Sequence, residues 1–123
     1  MTTQTLLNPD IDGVYAANDE MAMGVLSALK ARNLVGKVQL VGNDGITDAL
    51  AAVANGEMYA TNAESPYALG QKVVSLAGDI LAGRKVQADE VLEGKLVTMD
   101  TVKEYAKYLV GLGDTSGVPS SLR

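Results

Sequence analysis

The amino-acid sequence predicts an α/β fold built on a parallel sheet, because short buried strands alternate with apolar-striped helices along its first two-thirds. Short connections between these segments favour right-handed crossovers and a Rossmann-like βαβαβ lobe. The 123 residues are enough for one domain, and 47% of them are hydrophobic. Phe and Trp are absent, so small aliphatic side chains must form the core, which suits helices lying close against a parallel sheet.

Three strand–helix units follow one another, with strands predicted at residues 11–19, 37–44 and 57–64 and helices at residues 20–33, 45–56 and 66–83. Gly56 follows the second helix at a plausible C′ position, where a left-handed backbone conformation is common and glycine is favoured. Ser65 is a suitable cap for the third helix, and Pro66 occupies its first position, where a missing backbone N–H does no harm.

The third helix needs a substantial apolar partner. Its apolar residues recur at intervals of three and four, which is the spacing of one helix face: Leu69, Val73, Leu76 and Ile80. Further along, an extended segment is expected around residues 91–97 and a short helix over residues 101–109. Residues 111–123 are rich in Gly, Ser and Pro and are predicted to be a flexible tail.

Composition and charge exclude several classes of function. The net charge is −5, whereas a nucleic-acid surface needs clustered Lys and Arg, so no nucleic-acid partner is expected. The chain has neither Cys nor His, which removes thiolate catalysis, disulfides and the commonest metal ligands and general base. We therefore expect no enzyme, no metal and no cofactor. The opening residues MTTQTLLNPD lack the pattern of a signal peptide, and no apolar run is long enough to cross a membrane.

Polar side chains follow each of the three predicted strands at its carboxyl end. These are Asn18 and Asp19 after the first strand, Asn43 and Asp44 after the second, and Thr61, Asn62 and Glu64 around the end of the third. In an open parallel sheet, ligands bind beyond the carboxyl ends of the strands. Amides and carboxylates in such a row can hold a polyhydroxylated ligand through several hydrogen bonds.

Each of these residues also has a structural alternative. Asp19 stands where a helix needs an N-cap, and capping is favoured for it, whereas Asn18 is divided evenly between capping and ligand contact. Asp44 precedes Gly45 and is equally suited to a turn. Glu64 could stabilise the positive N-terminus of the third helix or reach a ligand.

Three segments together resemble a known family: PDIDGVYAANDEMAMGVLSALKARN, VQLVGNDGITDALAAVANGEMYATNAESPYALG and LVTMDTV. They are similar to the C-terminal half of type I periplasmic binding proteins of ABC transporters, especially the ribose-binding branch. The resemblance covers roughly residues 5–102. It implies one lobe of a two-lobed fold that holds a monosaccharide in the cleft between its lobes, in a protein that docks an ABC permease outside the cytoplasm.

The resemblance also implies roles for individual residues. Asn18 and Asp44 match sugar-contacting positions of the family, which assigns Asn18 to the ligand and leaves Asp19 to the helix. Glu64 stands where ribose binders carry Gln, and Asn43 stands where they carry an aromatic residue. These two departures argue against ribose itself and leave the sugar unidentified.

Family members are more than twice as long as this chain, so the resemblance implies a partial domain over residues 1–110. Residues 1–64 would be the lobe core, the helix at 65–83 would pack on an absent or partner lobe, and residues 84–110 would return as a strand and a terminal helix. We expect weak or lost sugar affinity, and self-association into a homodimer or larger assembly by exchange of helix 65–83. The alternative is an effector-binding fragment of a lactose-repressor-type transcription regulator.

Overall fold

The computed structural model describes residues 11–123 and forms a four-stranded sheet in the order β1-β2-β3-β4. Residues 1–10, with the sequence MTTQTLLNPD, belong to the predicted domain but lie outside the described residues. The strands are β1 (Gly13–Tyr15), β2 (Gln39–Asp44), β3 (Ala60–Ala63) and β4 (Lys95–Thr98). The first three are parallel, as predicted, and β4 is antiparallel to β3.

The helices are α1 (Asp19–Ala31), α2 (Thr47–Ala54), α3 (Pro66–Leu81) and α4 (Val102–Gly111), followed by a 3₁₀ turn at Ser120–Leu122. All four helices lie where the sequence predicts them, with ends that differ by a few residues. The extended segment that the sequence predicts around residues 91–97 begins as a strand only at Lys95 and ends at Thr98. It is this short because β3 offers only four residues for pairing.

One face of the sheet is covered by helices. Helix α1 contacts α2 and β2, while α2 contacts β3, β4 and α4. The core between these layers is aliphatic, with its largest fully buried side chains at Leu29, Leu40, Leu50, Val53, Val97 and Val102. On the opposite face, Tyr15 is 67% exposed and Leu96 is 61% exposed. Among residues 11–123, no helix covers that second face.

Helix α3 stands apart from this core. Ser65 caps it as predicted, since its hydroxyl accepts a hydrogen bond from the Ala68 N–H at 3.3 Å. None of its residues is buried. Even its apolar stripe is exposed to solvent, with Val73 at 55% and Ile80 at 60% exposure. An ion pair of 2.9 Å between Lys72 and Glu90 joins the helix to the segment that follows it.

The last thirteen residues differ from the flexible tail expected there. Val118 is completely buried and belongs to the core, and the Asp114 carboxylate accepts a hydrogen bond from the Gly117 N–H at 2.7 Å. The Thr47 hydroxyl in α2 donates to the Gly117 carbonyl at 3.3 Å. The segment is therefore anchored by one apolar side chain and a tight Asp-centred turn, which its Gly, Ser and Pro content does not reveal.

The buried position of Val118 predicts that Val118→Ala destabilises the protein by about 2 kcal/mol, because it removes two methyl groups from a filled core site. The matched control is Val91→Ala, at a position that is 81% exposed, which should change stability by less than about 0.5 kcal/mol. Urea unfolding followed by circular dichroism measures both. Equal stabilities for the two variants would return residues 111–123 to the flexible tail of the sequence prediction.

Candidate functional site

The structure assigns the helix cap at the end of β1 to Asn18 and not to Asp19. Asn18 is the N-cap of α1, and its Oδ1 accepts a hydrogen bond from the Met21 N–H at 2.8 Å. Asp19 is the first helical residue and is fully buried. The assignment of Asp19 to capping is therefore wrong, because the extended backbone of Asn18 places the cap one residue earlier. The side-chain amide nitrogen of Asn18 has no hydrogen-bond partner within residues 11–123.

The Asp19 carboxylate joins the ends of the central strands. Its Oδ2 accepts hydrogen bonds from the backbone N–H groups of Gly45 at 2.7 Å and Ile46 at 3.0 Å. The hydroxyl of Thr61 on β3 donates to the same carboxylate, at 2.9 Å from Oδ1. Gly42 leaves room for it, since a Cβ there would overlap Asp19 Oδ1. We call Asp19 with its three donors the Asp19 anchor.

The anchor holds a turn of unusual backbone conformation. Asp44 has a φ of 120°, which residues with side chains rarely adopt, and such conformations persist where the surroundings enforce them. Gly45 follows with a φ of 79°, and a Cβ on it would overlap Ala63. The Asp19 anchor fixes the peptide groups directly after Asp44 and thereby sets the direction of the Asp44 side chain.

A row of hydrogen bonds joins three of the predicted site residues. The Asn62 amide donates to Asn43 Oδ1 at 3.0 Å, and the Asn43 amide donates to Asp44 Oδ1 at 3.0 Å. The Glu64 backbone N–H donates to the Asp44 carbonyl at 3.0 Å. Asn43, Asp44 and Glu64 therefore lie together at the ends of β2 and β3, while Asn18 is linked to them through its neighbour Asp19. We call Asn18, Asn43, Asp44 and Glu64 the strand-end site.

A cavity of about 580 Å³ opens beside this row. Asp44 and Glu64 line it, whereas Asn18 and Asn43 do not. Its other walls come from the start of α3, the segment before β4, helix α4 and the last residues of the chain, with polar groups at Ser65, Glu93, Lys95, Tyr105, Tyr108 and Asp114. Its volume falls within the range of small-molecule sites.

Sequence reasoning missed the walls contributed by α4 and β4. Tyr105 follows the apolar spacing of α4, which assigns it to the core, and it is indeed 5% exposed. Nothing in the sequence indicates that this residue also reaches a cavity beside Asp44 and Glu64. Lys95 likewise has no motif, and its Nζ lies 4.1 Å from the centroid of the Tyr108 ring.

The charged groups around the cavity are mostly carboxylates. Asp114 is occupied by hydrogen bonds from the Ser116 hydroxyl and the Gly117 N–H. The Glu64 carboxylate has no hydrogen-bond partner within the described part of the chain. No group of three or more His, Cys, Asp or Glu side chains in residues 11–123 is arranged to hold a metal ion. The arrangement can accept hydrogen bonds from several hydroxyl groups of a ligand.

Burial raises the pKa of the Asp19 carboxyl above its ordinary value of 3.8, although the hydrogen bonds from Thr61, Ile46 and Gly45 oppose this shift. The negative charge of Asp44 adds to the increase. Burial therefore favours the protonated carboxyl of Asp19, while the hydrogen bonds from the three donors stabilise its charged carboxylate.

Comparisons with known proteins agree on one family. The family model described as "Periplasmic binding protein domain" matches residues 1–85. The chain is 45% identical over 92 residues to the ribose import binding protein of Escherichia coli, and 38% identical over 98 residues to the D-allose-binding periplasmic protein of the same organism. These matches cover 73% and 80% of this chain.

A solved structure shares the fold. It is an ABC transporter periplasmic solute-binding protein from Actinobacillus succinogenes with bound D-allose, and it matches with a TM-score of 0.79 and 31% sequence identity over 84% of this chain. The chain spans 37% of that structure, 30% of the ribose import binding protein and 28% of the allose-binding protein.

The Asp19 anchor predicts that Asp19→Asn destabilises the protein by about 1–3 kcal/mol, because the amide NH2 that replaces Oδ1 cannot accept the hydrogen bond from Thr61, while the remaining oxygen keeps the Gly45 and Ile46 N–H groups. The folded-state pKa of Asp19 is raised, so its contribution is complete below pH 3.8 and declines as the pH rises through the folded-state pKa. The advantage of the wild type over Asp19→Asn should thus be larger near pH 4 than at pH 7.

Urea unfolding at both pH values measures this difference. The matched control is Asp100→Asn, at an exposed aspartate, whose effect should be small at either pH. A wild-type advantage that grows with pH would contradict the raised pKa. An Asp19→Asn variant as stable as the control would contradict the anchor itself.

Proposed function

The chain belongs to the periplasmic binding protein family, whose members are the sugar-binding components of ABC transporters, and from this premise we propose that it binds a monosaccharide at its strand-end site. The main support for this proposal is that Asp44 and Glu64, at the ends of two neighbouring strands, both line one cavity of about 580 Å³. Their carboxylates accept hydrogen bonds from sugar hydroxyls. Asn18 does not line the cavity, but its amide nitrogen, which has no hydrogen-bond partner within residues 11–123, would reach the sugar from the adjacent strand end.

Binding by this chain is weak under the same proposal. A hydrogen bond in a partly wet site contributes about 1 kcal/mol, so four side chains supply about 4 kcal/mol, which corresponds to a dissociation constant of about 1 mM. The family encloses its sugar between two lobes, and the chain supplies the strand ends of one. In this proposal the whole parent protein delivers the sugar to an ABC permease outside the cytoplasmic membrane.

The lactose-repressor-type alternative gains no support. The relatives named above are import and periplasmic binding proteins. The segment before α3, GEMYATNAESPYALG, is also the part of the sequence that favours binding proteins over regulators. We propose binding without catalysis, since the family consists of solute-binding proteins.

We further propose that the apolar stripe of α3 mediates self-association. The stripe belongs to a helix without a single buried residue, and five large apolar side chains of this helix are more than half exposed: Leu69, Val73, Val74, Ile80 and Leu81. An apolar surface of this kind favours association. Helix exchange about the connection between Glu64 and Ser65 would cover it with a second copy of the lobe.

The sugar-binding proposal predicts thermal stabilisation by at least one member of a panel of D-ribose, D-allose, D-galactose and D-xylose (the sugar panel). At 100 mM, about a hundred times the expected dissociation constant, a ligand adds about 2.7 kcal/mol, which raises the Tm by roughly 10 °C. Asp44→Asn should remove most of this shift, because Asn still tolerates the positive φ of residue 44 but loses a carboxylate.

The control for Asp44→Asn is Asp100→Asn, which should keep the shift. For Asn18 the informative change is Asn18→Asp, since the new carboxylate keeps the helix cap and removes the amide donor, whereas Asn18→Ala also loses about 1 kcal/mol of capping. If no sugar in the panel moves the Tm at 100 mM, or if Asp44→Asn leaves the shift intact, the proposed site is wrong.

The self-association proposal predicts that Val73→Lys/Ile80→Lys converts the protein to a monomer, because two charges on the stripe oppose apolar contact. Light scattering after size-exclusion chromatography measures the mass. The control, Gln71→Lys/Ser75→Lys, adds the same charges to exposed polar positions of the same helix and should leave the assembly intact. A wild-type chain that is monomeric at its highest attainable concentration would refute the proposal.

A further inference from the structure

Tyr105 lies in α4 and lines the cavity beside Asp44 and Glu64. The residue is 5% exposed, and buried tyrosine hydroxyls usually have a hydrogen-bond partner. Within residues 11–123 this hydroxyl has none. No side-chain polar atom in that range is both completely enclosed and unpartnered, so the Tyr105 hydroxyl must meet open space.

The surroundings of the hydroxyl identify that open space. Tyr105 borders two cavities, the large one and a smaller one between β4 and α4. Tyr108, Asp114 and Glu64 act electrostatically on its phenol, and the two carboxylates among them line the large cavity and not the smaller one. Burial raises the pKa of Tyr105 to about 12, with Tyr108, Asp114 and Glu64 adding to the effect. At neutral pH the phenol is therefore a protonated hydrogen-bond donor on this side of the site.

A second donor lines the same cavity. Lys95 on β4 is the one cationic side chain among the described residues that border it. Its ammonium group lies 4.1 Å from the centroid of the Tyr108 ring, and the rings of Tyr105 and Tyr108 are 5.7 Å apart. The attraction between the ammonium group and the ring holds this charge over the Tyr108 ring, on the side of the cavity that α4 forms.

We propose that Tyr105 is a ligand-contacting residue whose hydroxyl donates a hydrogen bond to a neutral monosaccharide in this cavity, while Asp44 and Glu64 accept hydrogen bonds from the sugar. The proposal rests on the proposed function and adds to it a contact residue outside the strand ends and a ligand class. Tyr105 and Lys95 form the donor side of the cavity, and the two carboxylates form the acceptor side.

A neutral sugar fits both sides, because each of its hydroxyl groups can donate one hydrogen bond and accept others. A sugar carrying a carboxylate or phosphate fits poorly. Four carboxylates line the cavity, those of Asp44, Glu64, Glu93 and Asp114, against the single ammonium group of Lys95. An added negative charge would face repulsion from all four, since the hydrogen bonds that Asp114 accepts within its own turn leave its negative charge in place.

The test is Tyr105→Phe in the full chain, which removes the hydroxyl and nothing else. Because the hydroxyl has no partner within residues 11–123, the Tm without ligand should stay within about 2 °C of the wild type. The affinity for the responding member of the sugar panel, obtained from the dependence of Tm on sugar concentration, should fall about three- to tenfold. Tyr15→Phe, at a residue 67% exposed and outside the cavity, is the matched control and should change neither value.

The outcomes separate the two proposals. A sugar response that is lost in Asp44→Asn but unchanged in Tyr105→Phe would overturn the role of Tyr105 and leave the strand-end site intact. A complete absence of response to the sugar panel would overturn both. D-glucuronate at the same concentration should give no shift, and a shift as large as that of the neutral sugars would overturn the ligand class. A large fall in Tm for Tyr105→Phe without sugar would show that the hydroxyl serves the fold instead.

Discussion

The buried carboxylate of Asp19 is the interaction on which the rest of the site depends. It comes from the first turn of α1, yet its three hydrogen-bond donors belong to the turn after β2 and to β3. A buried charge is costly unless donors surround it, and here two backbone N–H groups and a hydroxyl do so. The same contacts fix the relative positions of three consecutive strand ends. Gly42 and Gly45 follow from this constraint, since a side chain at either position would overlap the anchor or β3.

The anchor also explains how Asp44 keeps its strained backbone. A φ of 120° costs on the order of 1–3 kcal/mol, and it persists because the next two peptide groups are bonded to Asp19. Asn43, on the opposite side of the strand, is tied to Asn62 and Asp44. Asp44 is thus held from its backbone and from its side chain, and a site that is already ordered before ligand arrives loses less entropy on binding.

The sequence was sufficient for those features that depend on periodicity and local turn chemistry. The alternation of apolar segments located all four helices, and the polar residues at the strand ends identified Asn43, Asp44 and Glu64 as neighbours. It was insufficient where the outcome depends on register or on distant contacts. Whether Asn18 or Asp19 caps α1 is decided by a difference of one residue in backbone conformation. The burial of Val118 and the cavity position of Tyr105 depend on packing between segments more than forty residues apart, for which no local pattern exists.

Helix α3 contributes to both the cavity and the exposed apolar stripe. Pro66, Ala68 and Leu69 at its start form one wall of the cavity, while Val73 and Ile80 further along form the exposed stripe. The helix buries no residue of its own, so its position over the cavity depends on its connection to β3 and on the ion pair of Lys72 with Glu90. If a second copy covers the stripe, the same contact restrains the cavity wall. Coupling between two equilibria is reciprocal, so under the two proposals a sugar that contacts this wall also favours the assembly that holds α3 in place.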